Sequence, residues 1–142
     1  MQTTSGELQI VNFTLDGVNY GVPVDQVREV RDMQSVTRVP GAPDYVEGVT
    51  NLRGQIITVI NLRKRLGLSG EKKPNEKIMI IDLKKSAVGV VVDTVTEVTA
   101  IKESDIQKNM EITSHLGEFV LGVGKQADKL CLILDISKAV KA

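Results

Sequence analysis

The side chains that could perform catalysis are few in this chain of 142 residues. It contains one histidine, His115, and one cysteine, Cys131, and the two are not spaced as zinc ligands are. Cys131 stands in the apolar run 130–134 (LCLIL), where a thiol is typically a small buried side chain rather than a nucleophile. A metal centre is therefore not expected, and a small hydrolase built around His115 is only an alternative interpretation.

Three aspartates and one glycine-rich segment are the other candidates for chemistry. Asp82, Asp93 and Asp135 each stand at the end of a strand-like apolar run, where a carboxylate caps a turn more often than it joins a catalytic pair. The segment 122–125 (GVGK) lacks the full glycine spacing of a phosphate loop and the hydroxyl residue after its lysine. We therefore predict that the protein is not an enzyme and that it binds no cofactor or metal.

The composition narrows the class of protein further. Eighteen Lys and Arg residues balance 18 Asp and Glu residues, and only two Tyr and two Phe supply aromatic rings. Surfaces that bind single-stranded nucleic acid need positive charge and aromatic platforms, so an RNA- or DNA-binding barrel is the less favoured alternative. Apolar runs reach about five residues, far below the roughly 18 that span a bilayer, and residues 1–7 lack the apolar core of a signal peptide. A cytoplasmic location is expected.

The elements that would position these side chains are predicted to be short β-strands. Val, Ile and Thr make up 42 of the 142 residues, and their branched side chains fit pleated sheets. Asp16-Gly17 and Arg53-Gly54 each separate two strand-like runs, as two-residue hairpin turns do. After Asp25, the spacing of Val27 and Val30 predicts a short helical turn. Short strands with frequent turns favour small closed barrels, which have no exposed edges.

The sequence also contains an internal duplication. Residues 21–30 (GVPVDQVREV) and 89–98 (GVVVDTVTEV) are identical at seven of ten positions, at an offset of 68. Residues 56–66 align with residues 130–140 at an offset of 74, in the same order along the chain. We interpret this as two related β units of about 65 residues each, joined by the polar linker 67–76.

The stretch 48–63 (GVTNLRGQIITVINLR) resembles the CheW family of chemotaxis coupling proteins. The resemblance covers nearly the whole chain, from residues 13–15 (FTL) and 27–30 (VREV) to the last strand and helix. Thr58 and Asn61 depart from the Pro and Asp that are common in the family. The resemblance implies an all-β fold of two five-stranded SH3-like β-barrels packed side by side, with short helical turns. The first barrel would span residues 14–75 and the second 76–136, with the strand 8–13 a candidate for sharing between them.

The resemblance further implies an adaptor without catalytic activity. Proteins of this family link the cytoplasmic tips of methyl-accepting chemoreceptors to the regulatory domain of a CheA-type histidine kinase, in arrays at the membrane. Neither nucleic acid binding nor direct membrane insertion is expected. By motif matching, the residues placed at partner-binding positions are Val27, Glu29, Gly48, Arg53 and Gly54.

The sequence suggests a physical role for four of these five residues. Arg53 would pair its guanidinium with a carboxylate of a partner helix or with a buried turn, and Gly48 would let two backbones approach closely. Glu29 would meet a partner cation or be solvated. Four valines either line a groove between the barrels that holds the apolar face of a partner helix or belong to the core. These are Val27, Val30, Val95 and Val98.

Overall fold

The structure, a computed structural model of the chain, describes residues 6–68, 73–84, 86–108, 115–126 and 128–140, and for residues 115 and 116 only the backbone. Most of the described residues lie in β-strands, which confirms the all-β prediction. The strands are β1 (Glu7–Leu15), β2 (Val18–Pro23), β3 (Val27–Asp32), β4 (Val46–Leu52), β5 (Gln55–Asn61), β6 (Lys77–Leu83), β7 (Ser86–Val92), β8 (Thr94–Lys102), β9 (Ile106–Gln107), β10 (Val120–Gln126) and β11 (Lys129–Leu134). Two short helices are α1 (Leu62–Arg65) and α2 (Ile136–Val140), and turns of 3-10 helix cover Val24–Gln26, Glu103–Asp105 and His115–Phe119.

The strands form two sheets with equivalent strand orders. One sheet has the order β3-β6-β7-β5-β4, and the other has the order β8-β1-β2-β11-β10-β9. The offset of 68 carries β1, β2 and β3 onto β6, β7 and β8, and the offset of 74 carries β4 and β5 onto β10 and β11. Asn61 and Asp135, related by the second offset, both cap a short helix, by accepting the N–H groups of Lys64 and Lys138. The duplication in the sequence is therefore a duplication of structure.

Each sheet takes strands from both repeats. The hairpin β1–β2 of the first repeat pairs with β8 and β11 of the second. The hairpin β6–β7 of the second repeat pairs with β3 and β5 of the first. One sheet therefore spans residues 27–92, and the other combines residues 7–23 with 94–134. Each sheet takes strands from both sides of the boundary that the sequence suggested between residues 75 and 76. Local sequence does not reveal this exchange, because a strand has the same alternation whichever sheet it joins.

Both sheets close in the same way. After the edge strand β3 the chain continues to Thr37, which forms a β-bridge with Val49 of the opposite edge strand β4 through two hydrogen bonds of 2.9 Å. After the edge strand β8, the turn Glu103–Asp105 leads to β9, which pairs with β10. Closure leaves few unpaired strand edges. We call the barrel of β3–β7 the first barrel and the barrel of β1, β2 and β8–β11 the second barrel.

Three apolar clusters stabilise this arrangement. One fills the first barrel, a second fills the second barrel, and the largest lies between the barrels and takes residues from both. Strand β6 is buried on both faces, with Ile78 and Ile80 in the first barrel and Met79 and Ile81 in the cluster between the barrels. Cys131 is buried in the second barrel, and burial raises the pKa of its thiol to about 11. The thiol is therefore protonated at neutral pH, as expected for a core residue.

A buried ion cluster joins the two barrels. Arg63 of α1 is buried; its Nη2 donates to Glu76 Oε2 at 2.8 Å and its Nη1 donates to Asp93, which connects β7 to β8. Asp93 in turn accepts the backbone N–H of Asp16, in the β1–β2 turn, at 2.8 Å. Because water is excluded, these charges depend on one another. Asp93 thus holds a turn, as the sequence predicted.

Replacing Arg63 with Met should lower the free energy of unfolding by about 3–5 kcal/mol, because two carboxylates would stay buried without their cation. Urea denaturation followed by circular dichroism measures the loss. Arg28→Met is the matched control, since the Arg28–Asp82 ion pair of 2.5 Å is exposed and should contribute less than about 1 kcal/mol. Equal losses for the two variants would contradict the role given to the buried cluster.

Candidate partner-binding surface

The four predicted valines form two equivalent pairs on edge strands. Val27 and Val30 lie on β3 of the first barrel, and Val95 and Val98 lie on β8 of the second. The predicted helical turn at Val27 and Val30 is wrong, because the only turn there is Val24–Gln26 and residues 27–32 are extended. A spacing of three residues is typical of one helix face, but here a bulged strand produces it.

A β-bulge puts both valines of a pair on the same side of the sheet. Val27 lies opposite Ile81 and Val30 lies opposite Met79, so three steps along β3 match two steps along β6. In a regular strand, residues three apart point to opposite faces, and the extra residue of the bulge corrects this. Strand β8 has the equivalent bulge, with Val95 opposite Phe13 and Val98 opposite Val11.

Each pair extends from the core to the surface. Val27 and Val95 are half-buried and pack against the cluster between the barrels. Val30 is 41% exposed and Val98 is 54% exposed. The inner valine of each pair therefore packs against the core, and the outer valine is exposed to solvent.

Glu29 and Arg53 form an ion pair with each other. Arg53 Nη1 donates to Glu29 Oε2 at 2.6 Å and Nη2 donates to Oε1 at 3.2 Å, which is the two-point geometry of a strong pair. Glu29 lies on the edge strand β3 and Arg53 follows the opposite edge strand β4, so the pair crosses the line along which the first barrel closes. Glu29, which was expected to meet a partner cation or solvent, has its cation in its own chain.

The ion pair fixes the charge state of Glu29. The hydrogen bond from Arg53, followed by the charges of Arg53 and Arg31, lowers the pKa of Glu29 below its usual value. Arg31 Nη1 donates to Glu29 Oε1 at 3.3 Å. The Arg53 side chain remains 69% exposed, and a guanidinium has five N–H donors. Glu29 therefore holds Arg53 in place while donors of Arg53 still face solvent.

Gly54 is the second residue of the hairpin turn between β4 and β5. Arg53 and Gly54 have φ angles of 52° and 84°, and two positive φ angles define the two-residue turn that matches the twist of a hairpin. Asn51 Oδ1 accepts the N–H of Gly54 at 2.9 Å and braces the turn. The predicted hairpin is confirmed, and Gly54 completes the turn that Arg53 begins.

Gly48 provides a close approach within the chain. It is buried with a φ of 146°, and a Cβ atom there would lie 2.1 Å from the carbonyl oxygen of Thr37. Thr37 makes the bridge to Val49 that closes the first barrel. Only glycine fits at this position, because a side chain would separate the two backbones that meet there.

Sequence reasoning missed a second exposed apolar pair. Ile56 on β5 is 64% exposed and Leu130 on β11 is 62% exposed. The offset of 74 relates the two residues. The sequence does contain a signal for this pair. An apolar residue recurs at the same position of both repeats, next to a hairpin turn, where the alternation along the strand predicts a solvent-facing side chain. These equivalent exposed apolar residues, one on each barrel, are further candidates for partner contacts.

The candidates for chemistry have structural roles where the structure describes them. Asp82 pairs with Arg28, and Asp135 caps α2. Residues 122–125 lie within β10 rather than in a phosphate-binding loop. His115 begins a 3-10 turn, and its side chain lies outside the described part of the chain. Across the described residues, no group of three or more His, Cys, Asp or Glu is arranged to hold a metal ion.

The family is decided by comparison with known proteins. The profile of the CheW-like domain matches residues 9–142. This chain belongs to the CheW family. The match spans both barrels, so the resemblance seen in the sequence is confirmed over nearly the whole chain.

Individual relatives cover more than nine-tenths of the chain. The chemotaxis protein CheW of Treponema pallidum is 33% identical over 145 residues, which are 97% of this chain and 85% of that protein. The chemotaxis protein CheW of Bacillus subtilis is 37% identical over 133 residues, 92% of this chain and 85% of that protein. The crystal structure of the scaffolding protein TtCheW from Thermoanaerobacter tengcongensis is 34% identical, has a TM-score of 0.88, and matches 95% of this chain and 93% of that one. In the part of this CheW-family chain that the structure describes, no helix combines the length and apolar character needed to cross a bilayer.

Gly48→Ala should destabilise the first barrel by about 3 kcal/mol, since it adds both backbone strain and a collision with Thr37. Gly41→Ala is the matched control: Gly41 has a φ of 82° with nothing within 4 Å of a Cβ atom, and strain alone costs about 1–2 kcal/mol. Urea unfolding compares the two variants. If both lose the same amount, the contact with Thr37 does not matter.

The titration of Glu29 should depend mainly on Arg53. Because its pKa is lowered in the folded state, the ion pair stabilises the fold above the ordinary pKa of glutamate, and this contribution is lost as the pH falls through the folded-state pKa. The carboxyl carbon resonance of Glu29 should therefore titrate below the usual range. Arg53→Ala should raise the midpoint more than Arg31→Ala does, and the reverse order would contradict the assignment.

Proposed function

We propose that this protein is a non-enzymatic adaptor that couples the cytoplasmic tips of methyl-accepting chemoreceptors to the regulatory domain of a CheA-type histidine kinase. Its membership of the CheW family supports this, as do the chemotaxis proteins and the scaffolding protein that it resembles. It would act in the cytoplasm and reach membrane-associated receptor arrays through its partners.

The observation that carries the proposal is the pair of equivalent apolar faces on the two barrels. An adaptor needs surfaces that stay exposed while the core remains intact. Val30 and Val98 meet this requirement, because each continues outward from a half-buried valine that is anchored in the core between the barrels. Exposed apolar residues that are backed by the core suit the apolar side of a partner helix. We assign this surface to the receptor tip.

The second exposed pair suits the kinase. Ile56 and Leu130 occupy equivalent positions on the two barrels. The family resemblance gives the kinase regulatory domain the same two-barrel fold, and a partner of that kind can meet equivalent positions with equivalent surfaces. We therefore assign Ile56 and Leu130 to contacts with the kinase.

Arg53 would act as a charged anchor on the first barrel. Glu29 holds its guanidinium at two points, so little side-chain freedom is lost when a partner binds. The N–H donors that still face solvent can bind a carboxylate on the partner. Glu29 thus contributes by orienting Arg53, and Gly54 contributes by forming the turn.

Arg53→Ala should leave the fold intact and weaken assembly about tenfold, the loss expected for one interface anchor. The test is copurification and titration of the purified chain with a CheA-type kinase and a receptor cytoplasmic fragment from the same source. Arg38→Ala, which removes another exposed arginine, is the control and should bind normally. If the unaltered protein binds neither partner, the proposed function is wrong. If Arg53→Ala binds both partners normally, only the role of Arg53 is wrong.

A further inference from the structure

The interior of the second barrel contains a polar cluster. Asn12 of β1 is buried, and Gln126 and Cys131 lie against it from β10 and β11. The repeat offsets give the residues at the equivalent positions of the first barrel, where all three are apolar and belong to its core. They are Ile80, Leu52 and Ile57.

Hydrogen bonds occupy the whole amide group of Asn12. Its Nδ2 donates to Thr99 Oγ1 at 2.8 Å and to the carbonyl oxygen of Glu97 at 3.1 Å. Its Oδ1 accepts from Gln126 Nε2 at 3.2 Å and lies 3.7 Å from Cys131 Sγ. Gln126 Nε2 also donates to Thr99 Oγ1 at 2.7 Å. Since both hydrogens and the carbonyl oxygen of Asn12 are used, the cluster connects parts of the protein and leaves no group of Asn12 free for a ligand.

The cluster is attached to the bulge of β8. Val11 and Phe13 of β1 lie opposite Val98 and Val95. Asn12, the one residue between Val11 and Phe13, therefore lies opposite two residues of β8. These two residues are Thr96 and Glu97. The Asn12 side chain binds the carbonyl of Glu97, and Thr96 Oγ1 donates to the backbone carbonyl of Asn12 at 3.4 Å. Asn12 therefore holds the bulge through both its side chain and its backbone.

The equivalent bulge in the first barrel is held differently. It lies opposite Ile80, an apolar residue that has no side-chain hydrogen bond to offer. Its two residues Arg28 and Glu29 form ion pairs instead, Arg28 with Asp82 at 2.5 Å and Glu29 with Arg53. The contacts of the two bulges therefore differ: residues of the β3 bulge form ion pairs that reach the surface, and the β8 bulge is hydrogen-bonded to a buried neutral amide.

We infer that Asn12 is a positioning residue for the second partner-binding face: by fixing the bulge of β8, it keeps Val98 on the same face as Val95, turned toward the receptor helix. This inference rests on the proposed function for the choice of partner. The fixing of the bulge itself rests on the contacts of Asn12 alone.

The double variant Asn12→Ile, Gln126→Leu tests the positioning, because it installs the residues of the first barrel and avoids leaving Gln126 without its partner. Circular dichroism should show a folded protein. The backbone amide resonances of Thr96, Glu97 and Val98 should shift. Their hydrogen exchange should become about tenfold faster, because the free energy of local opening is lower. The resonances of residues 28–30, in the other bulge, should stay in place.

The same variant tests the link to binding. Its affinity for a receptor cytoplasmic fragment should fall about tenfold, as should that of Val98→Ala, which removes the contact and leaves the bulge intact. Unchanged resonances and unchanged exchange at residues 96–98 of the double variant would overturn the inference. The inference would also fail if the resonances of the double variant change and it binds the receptor fragment normally, while Val98→Ala binds the fragment poorly. If both variants bind normally while the resonances shift, the positioning of the bulge is supported and the assignment of this face to the receptor fails.

Salt provides an independent measurement on the unaltered protein. Ion pairs at the surface weaken as salt screens them, whereas a buried neutral network does not. Raising the salt concentration should therefore speed hydrogen exchange at residues 28–30 and leave residues 96–98 unaffected. An equal response at both bulges would contradict the internal support from Asn12.

Discussion

The exchange of hairpins between the two repeats is the constraint on which the rest of the structure depends. Neither repeat can complete its own sheet, because β1–β2 lies in the second barrel and β6–β7 lies in the first. The exchanged strands supply both the barrel interiors and the cluster between the barrels, so their consecutive residues are buried on alternate sides. The barrels therefore share a core, and neither can unfold without exposing part of the other. The buried Arg63 cluster adds a polar tie at the same junction.

This shared core explains how the apolar residues that we propose as partner contacts remain exposed. In a barrel with one core, the outer faces of edge strands would be solvated and polar. Here the inner valines Val27 and Val95 are anchored between the barrels, and the bulges bring Val30 and Val98 onto the same faces. The duplication makes two such faces, and the divergence of the repeats has given each bulge a different chemical support. Under the proposed roles, a substitution at one bulge would therefore leave the other face unchanged.

Much of the fold could be predicted from local sequence. The hairpins at Asp16-Gly17 and Arg53-Gly54 depend on positive φ angles that these residues adopt at little cost, and the buried position of Cys131 follows from its apolar neighbours. The site was predicted only as a set of residues. Val27 and Val30 were placed on a helical turn, because spacing by three residues indicates a helix unless a bulge is known to be present. The sequence left Glu29 either paired with a partner cation or solvated, because Arg53 is 24 residues away along the chain.

By itself, the sequence determined the strands, the turns, the duplication and the family, because each depends on residues close together in the chain or on a pattern repeated along it. The tertiary structure alone decided which repeat supplies each strand, which valine of each pair reaches the surface, and that Gly48 makes room for Thr37. These features depend on pairing between distant strands. Pairing of that kind is chosen by the burial of all the strands together, and the alternation within any one strand is compatible with more than one partner.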